Sequence, residues 1–391
     1  MEIAVKIEEL MNRIKLDEYW PDFRSVAYAL YNTDEVHLVN HPYTNFQTQT
    51  IPSEPVFNGA DTVILYHNHP TAIVNLERYE TFESLYPILV HESFHGYQYL
   101  YGEKRFPDEL MGSQYPLLGE NIELRSRERE QLYSAVIYNS QEAISNFIAL
   151  REKRKAFIGK YADYEFLIES VEGTAWYVEF LASIKISGLP NDKIIEKYSP
   201  YLLDRLESNL NIRRSGYGSG MFMCLYLDTT AGNWKHKFVE SNLTLYEFLK
   251  ENIEWHRQSI SDEIQVNQET WELINFIKSN RLKKFKEFEE QGVFSLFIEG
   301  KFDSIYFDPI NMITFENKTL HQYLRVVAGN KEYIFTQPVI TFFKVQFKDV
   351  FRLHLRMKNK PKISNSVLFI EDVGEISGDI MDCGNDFTIK I

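Results

Sequence analysis

Hydrophobic positions follow helical spacing through most of the first 280 residues, and strand-like alternation beyond them. The opening segment, residues 3–16, places its apolar residues on one helical face. Residues 36–39 and 62–66 are short β-like runs separated by prolines, and they predict a small sheet. Between residue 81 and about residue 271 the pattern turns mainly helical. The predicted helices fall near residues 84–101, 120–160, 164–186, 192–210 and 218–230.

The last hundred residues have a different pattern. A charged segment, residues 280–292, is expected to end a helix at Gly292. Residues 351–357 alternate apolar and polar positions, which puts His354 on the exposed face, and residues 340–347 are rich in aromatic and β-branched residues. The sequence therefore predicts an α+β chain. It consists of a mainly helical domain with a small β-sheet, residues 1–280, and an all-β domain, residues 281–391.

One predicted helix carries the motif His-Glu-x-x-His. Pro87 suits the first turn of this helix, and Gly102 suits its end. His91 and His95 are four residues apart, so their rings project from one helix face and can reach one zinc ion. Glu92 follows the first histidine directly, where a general base would stand. The motif alone is suggestive, and a third ligand is needed.

The best candidate for that ligand is Glu172, on the apolar helix predicted near residues 164–186. A carboxylate on such a helix is costly to bury without a partner, and a cation is an effective partner. Gly173 follows it and permits close approach of another backbone. Glu169, three residues earlier on much the same face, remains an alternative as the ligand or as a support for a histidine.

These motifs together resemble those of a known family. Glu172-Gly173-Thr-Ala-Trp-Tyr177-Val-Glu179 follows His-Glu-x-x-His in the order seen in gluzincin metallopeptidases, especially the aminopeptidase-N-like branch. Residues 217–228 resemble the Tyr-x-x-Gly helix start that supplies a tyrosine hydroxyl in that branch. The resemblance implies a zincin-like peptidase domain, with Zn²⁺ held by His91, His95 and Glu172 and with Glu92 and Tyr217 in catalysis.

The resemblance also implies a reaction. Zinc lowers the pKa of a water molecule, Glu92 takes its proton as general base, and Tyr217 stabilises the oxyanion formed from a peptide carbonyl. The branch's Gly-x-Met-Glu-Asn segment is missing from residues 70–77, so aminopeptidase specificity is not implied. The alternative function is a catalytically silent zincin-fold scaffold that binds a protein partner through its β-domain.

Two further polar segments have simpler interpretations. His95 and Glu172 are separated by a long helical insertion, whose arginine-rich stretches, residues 121–131 and 150–155, are interpreted as solvated helix faces. His67 and His69 would lie on one side of a strand, where they could bind a metal. No carboxylate lies near them in the sequence, so a polar strand end is the preferred interpretation.

Composition and charge narrow the classes of partner. The net charge is −14, and residues 1–280 hold 26 Lys and Arg against 41 Asp and Glu. This acidity argues against nucleic acid or an anionic membrane as a partner, and leaves a peptide or protein as substrate. Two distant cysteines exclude a disulfide framework. The acidic N-terminal segment does not resemble a secretory signal, so a cytoplasmic location is expected.

Overall fold

The structure is a computed structural model that describes residues 2–57, 60–308, 311–345, 348–371 and 373–391. The chain divides into two compact units. The first comprises Met1–Pro107 and Asn121–Ile264, and the second comprises Asp108–Glu120 and Gln265–Ile391. The chain is α+β, with most helices in the first unit and only strands after residue 293 in the part described.

The first unit contains one mixed sheet. Its strands are β1 (Ala27–Tyr31), β2 (Glu35–Val39), β3 (Gln49–Pro52), β4 (Thr62–Tyr66) and β5 (His69–Asn75). The order is β3-β2-β1-β5-β4, with β1 and β5 parallel and the other pairs antiparallel. The two β-like runs predicted from the sequence are confirmed as β2 and β4.

Helices make up most of the rest of the first unit and the start of the second. They are α1 (Glu2–Arg13), α2 (Phe82–Leu100), α3 (Glu109–Ser113), α4 (Gly119–Tyr138), α5 (Gln141–Ile158), α6 (Lys160–Ser187), α7 (Asn191–Tyr198), α8 (Pro200–Leu203), α9 (Arg205–Leu210), α10 (Ile212–Thr230), α11 (Trp234–Glu240), α12 (Leu245–Asn252) and α13 (Gln268–Glu289). None of the described helices is long and apolar enough to cross a lipid bilayer.

Two of the predicted helices are divided in the structure. The region 120–160 is α4 and α5, separated where Asn139 takes a left-handed conformation and Ser140 caps the next helix. The region 192–210 is three short helices, α7 to α9, because Pro200 has no backbone N–H and Asp204 caps α9. An apolar spacing pattern does not report these local features.

Helices α6 and α10 cross with their backbones in contact. A Cβ atom added at Gly173 would lie 2.4 Å from the Cα of Gly220, and one added at Gly220 would lie 2.5 Å from the carbonyl oxygen of Glu169. Real Cβ atoms do not approach other atoms so closely, so neither position accepts a larger residue without separating the helices. The predicted close approach at Gly173 is confirmed, and it brings the Tyr217 segment against the Glu172 segment.

The arginine-rich faces of α4 and α5 are buried, so their interpretation as solvated surfaces was wrong. Their guanidinium groups lie among carboxylates from α4 and α6, within hydrogen-bond or ion-pair distance. This arginine–glutamate cluster consists of Arg125, Arg129, Arg151, Arg154, Glu128, Glu165 and Glu169, each at most 1% exposed. The carboxylates of α4 and α6 compensate the buried positive charges.

The second unit is built from strands together with α13. The strands are β6 (Phe294–Glu299), β7 (Ser304–Phe307), β8 (Ile313–Phe315), β9 (Lys318–His321), β10 (Leu324–Ala328), β11 (Lys331–Phe335), β12 (Val339–Val345), β13 (Lys348–Met357), β14 (Lys362–Ser364), β15 (Val367–Ile370), β16 (Gly374–Ser377), β17 (Asp379–Cys383) and β18 (Asp386–Lys390). One described sheet has the order β17-β18-β6-β13-β12-β9-β8.

The position of His354 on β13 differs from the prediction. It was expected on an exposed strand face, but its ring is 4% exposed, stacks on Phe297 and lies against Phe288 of α13. The alternation of apolar and polar residues was read correctly as a strand. Coverage of its second face by α13 could not be inferred from that alternation.

Candidate metal centre

Helix α2 presents the two histidines from its middle turns. It begins after Thr81, whose hydroxyl accepts a hydrogen bond from the backbone N–H of Ser84. Pro87 therefore lies in the second turn, not in the first as predicted from its preference for helix starts. Gly102 follows the helix with φ +75°, the left-handed conformation that commonly ends helices.

The structure brings His91, His95 and Glu172 together. The two imidazole Nε2 atoms are 3.1 Å apart, and Oε2 of Glu172 lies 3.1 Å from Nε2 of His95 and 3.9 Å from Nε2 of His91. His91 and Glu172 are buried and His95 is partly buried. Three potential ligand atoms from α2 and α6 thus surround one point.

The tautomer of His95 follows from the hydrogen bonds of Gln98. The Gln98 amide nitrogen donates to the carbonyl oxygen of Val171 and to the hydroxyl of Thr174, which fixes the orientation of the amide. Its Oε1 therefore faces Nδ1 of His95, at 2.7 Å, and must accept a hydrogen bond from the Nδ1–H group. In the tautomer with its proton on Nδ1, the Nε2 lone pair of His95 points at the shared centre.

For His91, the group next to Nδ1 is a carboxylate. Its Nδ1 lies 3.0 Å from Oε2 of Glu179, an ion-pair contact whose angles fall outside those of a hydrogen bond. Glu179 is held in turn by the hydroxyl of Tyr198, which donates to Oε1 at 2.6 Å. An acidic partner at Nδ1 favours a proton there and leaves Nε2 as the ligand atom.

The charges around the centre shift the pKa values of its residues. Burial would raise the pKa of Glu172, but the neighbouring Arg213 and His95 outweigh it and hold this pKa well below its usual range. Burial would lower the pKa of His95, but Glu172 raises it to about 9. A negative carboxylate is therefore present beside two imidazoles, and it favours positive charge between them.

Glu92 lies beside the same centre and is 9% exposed. Burial raises the pKa of its carboxyl, and the nearby His91 and His95 oppose that effect. A buried carboxyl group thus lies next to both imidazoles, where it can exchange a proton.

The ligand atoms fit zinc by distance and by chemistry. In a tetrahedral zinc site with bonds of about 2.0–2.1 Å, neighbouring ligand atoms lie about 3.3–3.4 Å apart. The three distances here, 3.1, 3.1 and 3.9 Å, bracket that value. Two imidazole nitrogens and one carboxylate oxygen form a ligand set used by catalytic zinc sites, which keep a fourth position open.

Tyr217 also lies at the centre, but in the second turn of α10 and not at a helix start. Asn211 caps this helix six residues earlier. The Tyr217 ring is 6.4 Å from the His91 ring, centroid to centroid, and its hydroxyl accepts a hydrogen bond from Arg213. The glycine-rich segment stays helical because it packs directly against Gly173 of α6.

No protein-family model matches this chain, and neither a curated protein nor a solved structure matches it. The chemistry of the site therefore has to be inferred from its residues and their geometry.

Two alternatives from the sequence are separated from the centre. Both carboxylate oxygens of Glu169 bind Arg151, each at 2.8 Å, and the Ser219 hydroxyl donates to the same group, so Glu169 belongs to the arginine–glutamate cluster. His67 lies in the turn between β4 and β5 and stacks on Tyr43 at 4.0 Å. His69 contacts His41 instead, and among the described residues only His91, His95 and Glu172 form a group with metal-ligand spacing.

Sequence reasoning gave no orienting role to three residues that contact the site's side chains. Glu179 was quoted in the motif without a role, and its position seven residues after Glu172, on the same face of α6, was the available signal. Gln98 lies three residues after His95 and could have been found in the same way. Arg213 precedes Tyr217 by four residues, and nothing in its local sequence distinguishes it from Arg214.

Proposed function

We propose that this chain is a zinc-dependent hydrolase that cleaves peptide bonds, and that its first unit is a zincin-like metallopeptidase domain. The observation that carries the proposal is the convergence of the Nε2 atoms of His91 and His95 with a carboxylate oxygen of Glu172. The Nδ1 atoms of both rings lie against acceptors, Gln98 and Glu179. The two Nε2 atoms and the Glu172 oxygen can therefore share at most one proton among themselves. A divalent cation satisfies all three at once.

When bound, zinc would acidify a water molecule and polarise the scissile carbonyl group. The Glu92 carboxylate accepts a proton as the water oxygen attacks the carbonyl carbon. It returns that proton to the amide nitrogen as the C–N bond breaks. The hydroxyl of Tyr217 donates a hydrogen bond to the oxyanion that develops between these steps. Glu179 and Gln98 keep the two imidazoles in the tautomer that the ligand role requires.

The substrate class follows from this arrangement and from the resemblance of the three motifs to gluzincins. A general base, a carbonyl-polarising cation and an oxyanion donor suit amide hydrolysis. The acidic charge of residues 1–280 favours an uncharged or basic peptide over an anionic polymer. A silent scaffold that binds zinc without turnover is the second function to be tested.

The deciding experiment compares the purified protein with its Glu92→Gln variant. Zinc content is measured by elemental analysis, and cleavage is measured by mass spectrometry on a peptide library. The proposal predicts equal zinc in both proteins, cleavage by the parent chain, and turnover reduced by about 10²–10⁴-fold in the variant. Zinc without cleavage in the parent protein would favour the scaffold function, and absence of zinc at saturating metal would reject both.

A further inference from the structure

Arg213 contacts two functional groups of the centre at the same time. Its Nη2 donates to Oε1 of Glu172 at 2.7 Å, and its Nη1 donates to the hydroxyl oxygen of Tyr217. The guanidinium carbon lies 5.3 Å from the centre of the Tyr217 ring. Arg213 and Tyr217 are four residues apart on α10, so both side chains come from one helix face.

The contact with Glu172 divides the two oxygens of this carboxylate between different partners. Oε1 accepts from Arg213, while Oε2 faces the imidazoles at 3.1 and 3.9 Å. A hydrogen bond between two charged groups is among the strongest that proteins make. It holds Glu172 as a ligand through one oxygen only and keeps the second oxygen away from a cation.

The contact with Tyr217 fixes the direction of its O–H group. Guanidinium groups only donate, so the phenol oxygen must accept from Arg213. The Tyr217 hydrogen is then free to donate elsewhere, which is what an oxyanion partner needs. A donor that also accepts from a charged group is polarised and becomes a stronger donor.

We propose that Arg213 is a positioning residue that sets the coordination number of the bound metal and aims the hydroxyl of Tyr217. This inference rests on the proposed function, because it assigns a task at the same metal centre. Arg213 acts through Glu172 and Tyr217 and is not assigned a contact with the reacting atoms. Lysine is a poor replacement, because a single ammonium group cannot reproduce the two-pronged contact.

The test uses cobalt(II) as a spectroscopic substitute for zinc in the full chain. The visible d–d absorption of cobalt is intense in four-coordinate sites and weak in five-coordinate ones. The parent protein is expected to show the intense band. Arg213→Met and Arg213→Lys are expected to bind cobalt with a loss of intensity, because Glu172 becomes free to bind through both oxygens. Arg214→Met, a change at the exposed neighbour on the same helix, is the matched control and keeps the parent spectrum.

Kinetics supply a second readout that a purely structural role would not reproduce. Arg213→Met and Tyr217→Phe are each expected to lower kcat by about 10²-fold, with KM little changed. The double variant is expected to lose no more than Arg213→Met alone, because the hydroxyl that Tyr217→Phe removes is no longer aimed in that variant. Tyr217→Phe leaves the cobalt spectrum unchanged, which separates the two tasks of Arg213.

The outcomes distinguish this inference from the proposed function. A parent protein that binds no cobalt or cleaves no peptide overturns the proposed function, and this inference with it. A parent protein that does both, with Arg213 variants whose spectrum and kcat match the parent, overturns only the role of Arg213. Additive losses in the double variant also count against it. If Arg213→Met does not fold, Arg213→Lys carries the same test with the charge retained.

Discussion

Helix α6 carries four buried glutamates with two contrasting environments. Glu165 and Glu169, in its first half, are surrounded by arginines and accept hydrogen bonds from Arg154 and Arg151. Glu172 and Glu179, one and three turns later, face imidazoles. Both regions are buried and both contain charges, so burial and charge alone do not distinguish a structural cluster from a binding site.

The distinction lies in how donors and acceptors balance. In the arginine–glutamate cluster, guanidinium N–H groups meet carboxylate oxygens, and the bonds satisfy the carboxylates. At the histidine centre, the Nε2 atoms of two imidazoles face one oxygen of Glu172, and Arg213 binds the other oxygen. Under the proposed function, a divalent cation would bind at this point.

The largest effect is expected when one glutamate from each environment is changed to glutamine and the two variants are compared. Glu172→Gln should lower zinc affinity by about a thousandfold or more. Changing a residue that only hydrogen-bonds a metal ligand typically costs about 10–100-fold, and the loss of a ligand itself should exceed that. Glu169→Gln, one turn earlier, should keep zinc affinity within about threefold, because its carboxylate serves Arg151. Competition with a chromogenic chelator measures both. Equal zinc loss in the two variants would contradict the assignment.

A second prediction concerns the arginine–glutamate cluster. Arg154→Met leaves Glu128 and Glu165 without a main partner, and should lower the free energy of unfolding by about 3–5 kcal/mol. Urea denaturation followed by circular dichroism gives this value. Lys193→Met breaks an exposed ion pair with Glu196 and serves as the control, with unchanged stability expected.

Zinc affinity, measured on the folded fraction, should be the same in Arg154→Met as in the parent protein. A variant that keeps its stability but loses zinc would reverse the roles assigned to the two regions.

A third prediction uses two buried histidines of the second unit, His321 and His354, whose burial lowers their pKa values. Burial lowers the pKa of His321 and, aided by the nearby Arg356, that of His354, in each case to about 4. Because the unfolded value is about 6.5, the unfolded chain binds more protons in acid, and stability falls as the pH drops from 6.5 towards 4. The loss between pH 7.5 and pH 5 should be about 2 kcal/mol per histidine.

Hydrogen exchange of peptides from β12 and β13 measures that loss in the second unit. His354→Phe should remove about half of it, because one of two such groups no longer titrates. His236→Gln, at an exposed position, should leave it unchanged. A pH-independent opening free energy in the parent protein would show that neither ring is held neutral.

The smallest effect on zinc affinity is expected from a residue that hydrogen-bonds a proposed ligand. Gln98→Leu removes the acceptor for Nδ1 of His95 and should lower zinc affinity by about tenfold, near the lower end for such residues. Tyr99→Leu, an exposed change on the same helix, should have no effect. Titration calorimetry against a competing chelator provides the measurement. An unchanged zinc affinity in Gln98→Leu would show that Gln98 is not needed to fix the tautomer of His95.

Much of the local structure could be read from the sequence. The runs that became β2 and β4 and the helix that carries His91 and His95 followed from spacing and residue type, and the carboxylate of Glu172, the preferred candidate, lies beside the histidines. The glycine after Glu172 correctly indicated a close backbone approach. These inferences concern single elements, where periodicity reports which face is apolar.

The errors arose where tertiary coverage decides the environment. The arginines of α4 and α5 look like a solvated face until α6 supplies glutamates opposite them, and His354 looks exposed until α13 covers its strand. Arg213 could not be separated from Arg214 because only the crossing of α6 and α10 places one of them beside Glu172. Such pairings join residues far apart in the chain.

The most direct test of the metal centre is anomalous X-ray diffraction at the zinc absorption edge, on crystals of the full chain grown with zinc. The account predicts one strong peak about 2.0–2.2 Å from Nε2 of His91, Nε2 of His95 and a single oxygen of Glu172. A zinc-saturated crystal with no peak between these three side chains would contradict it.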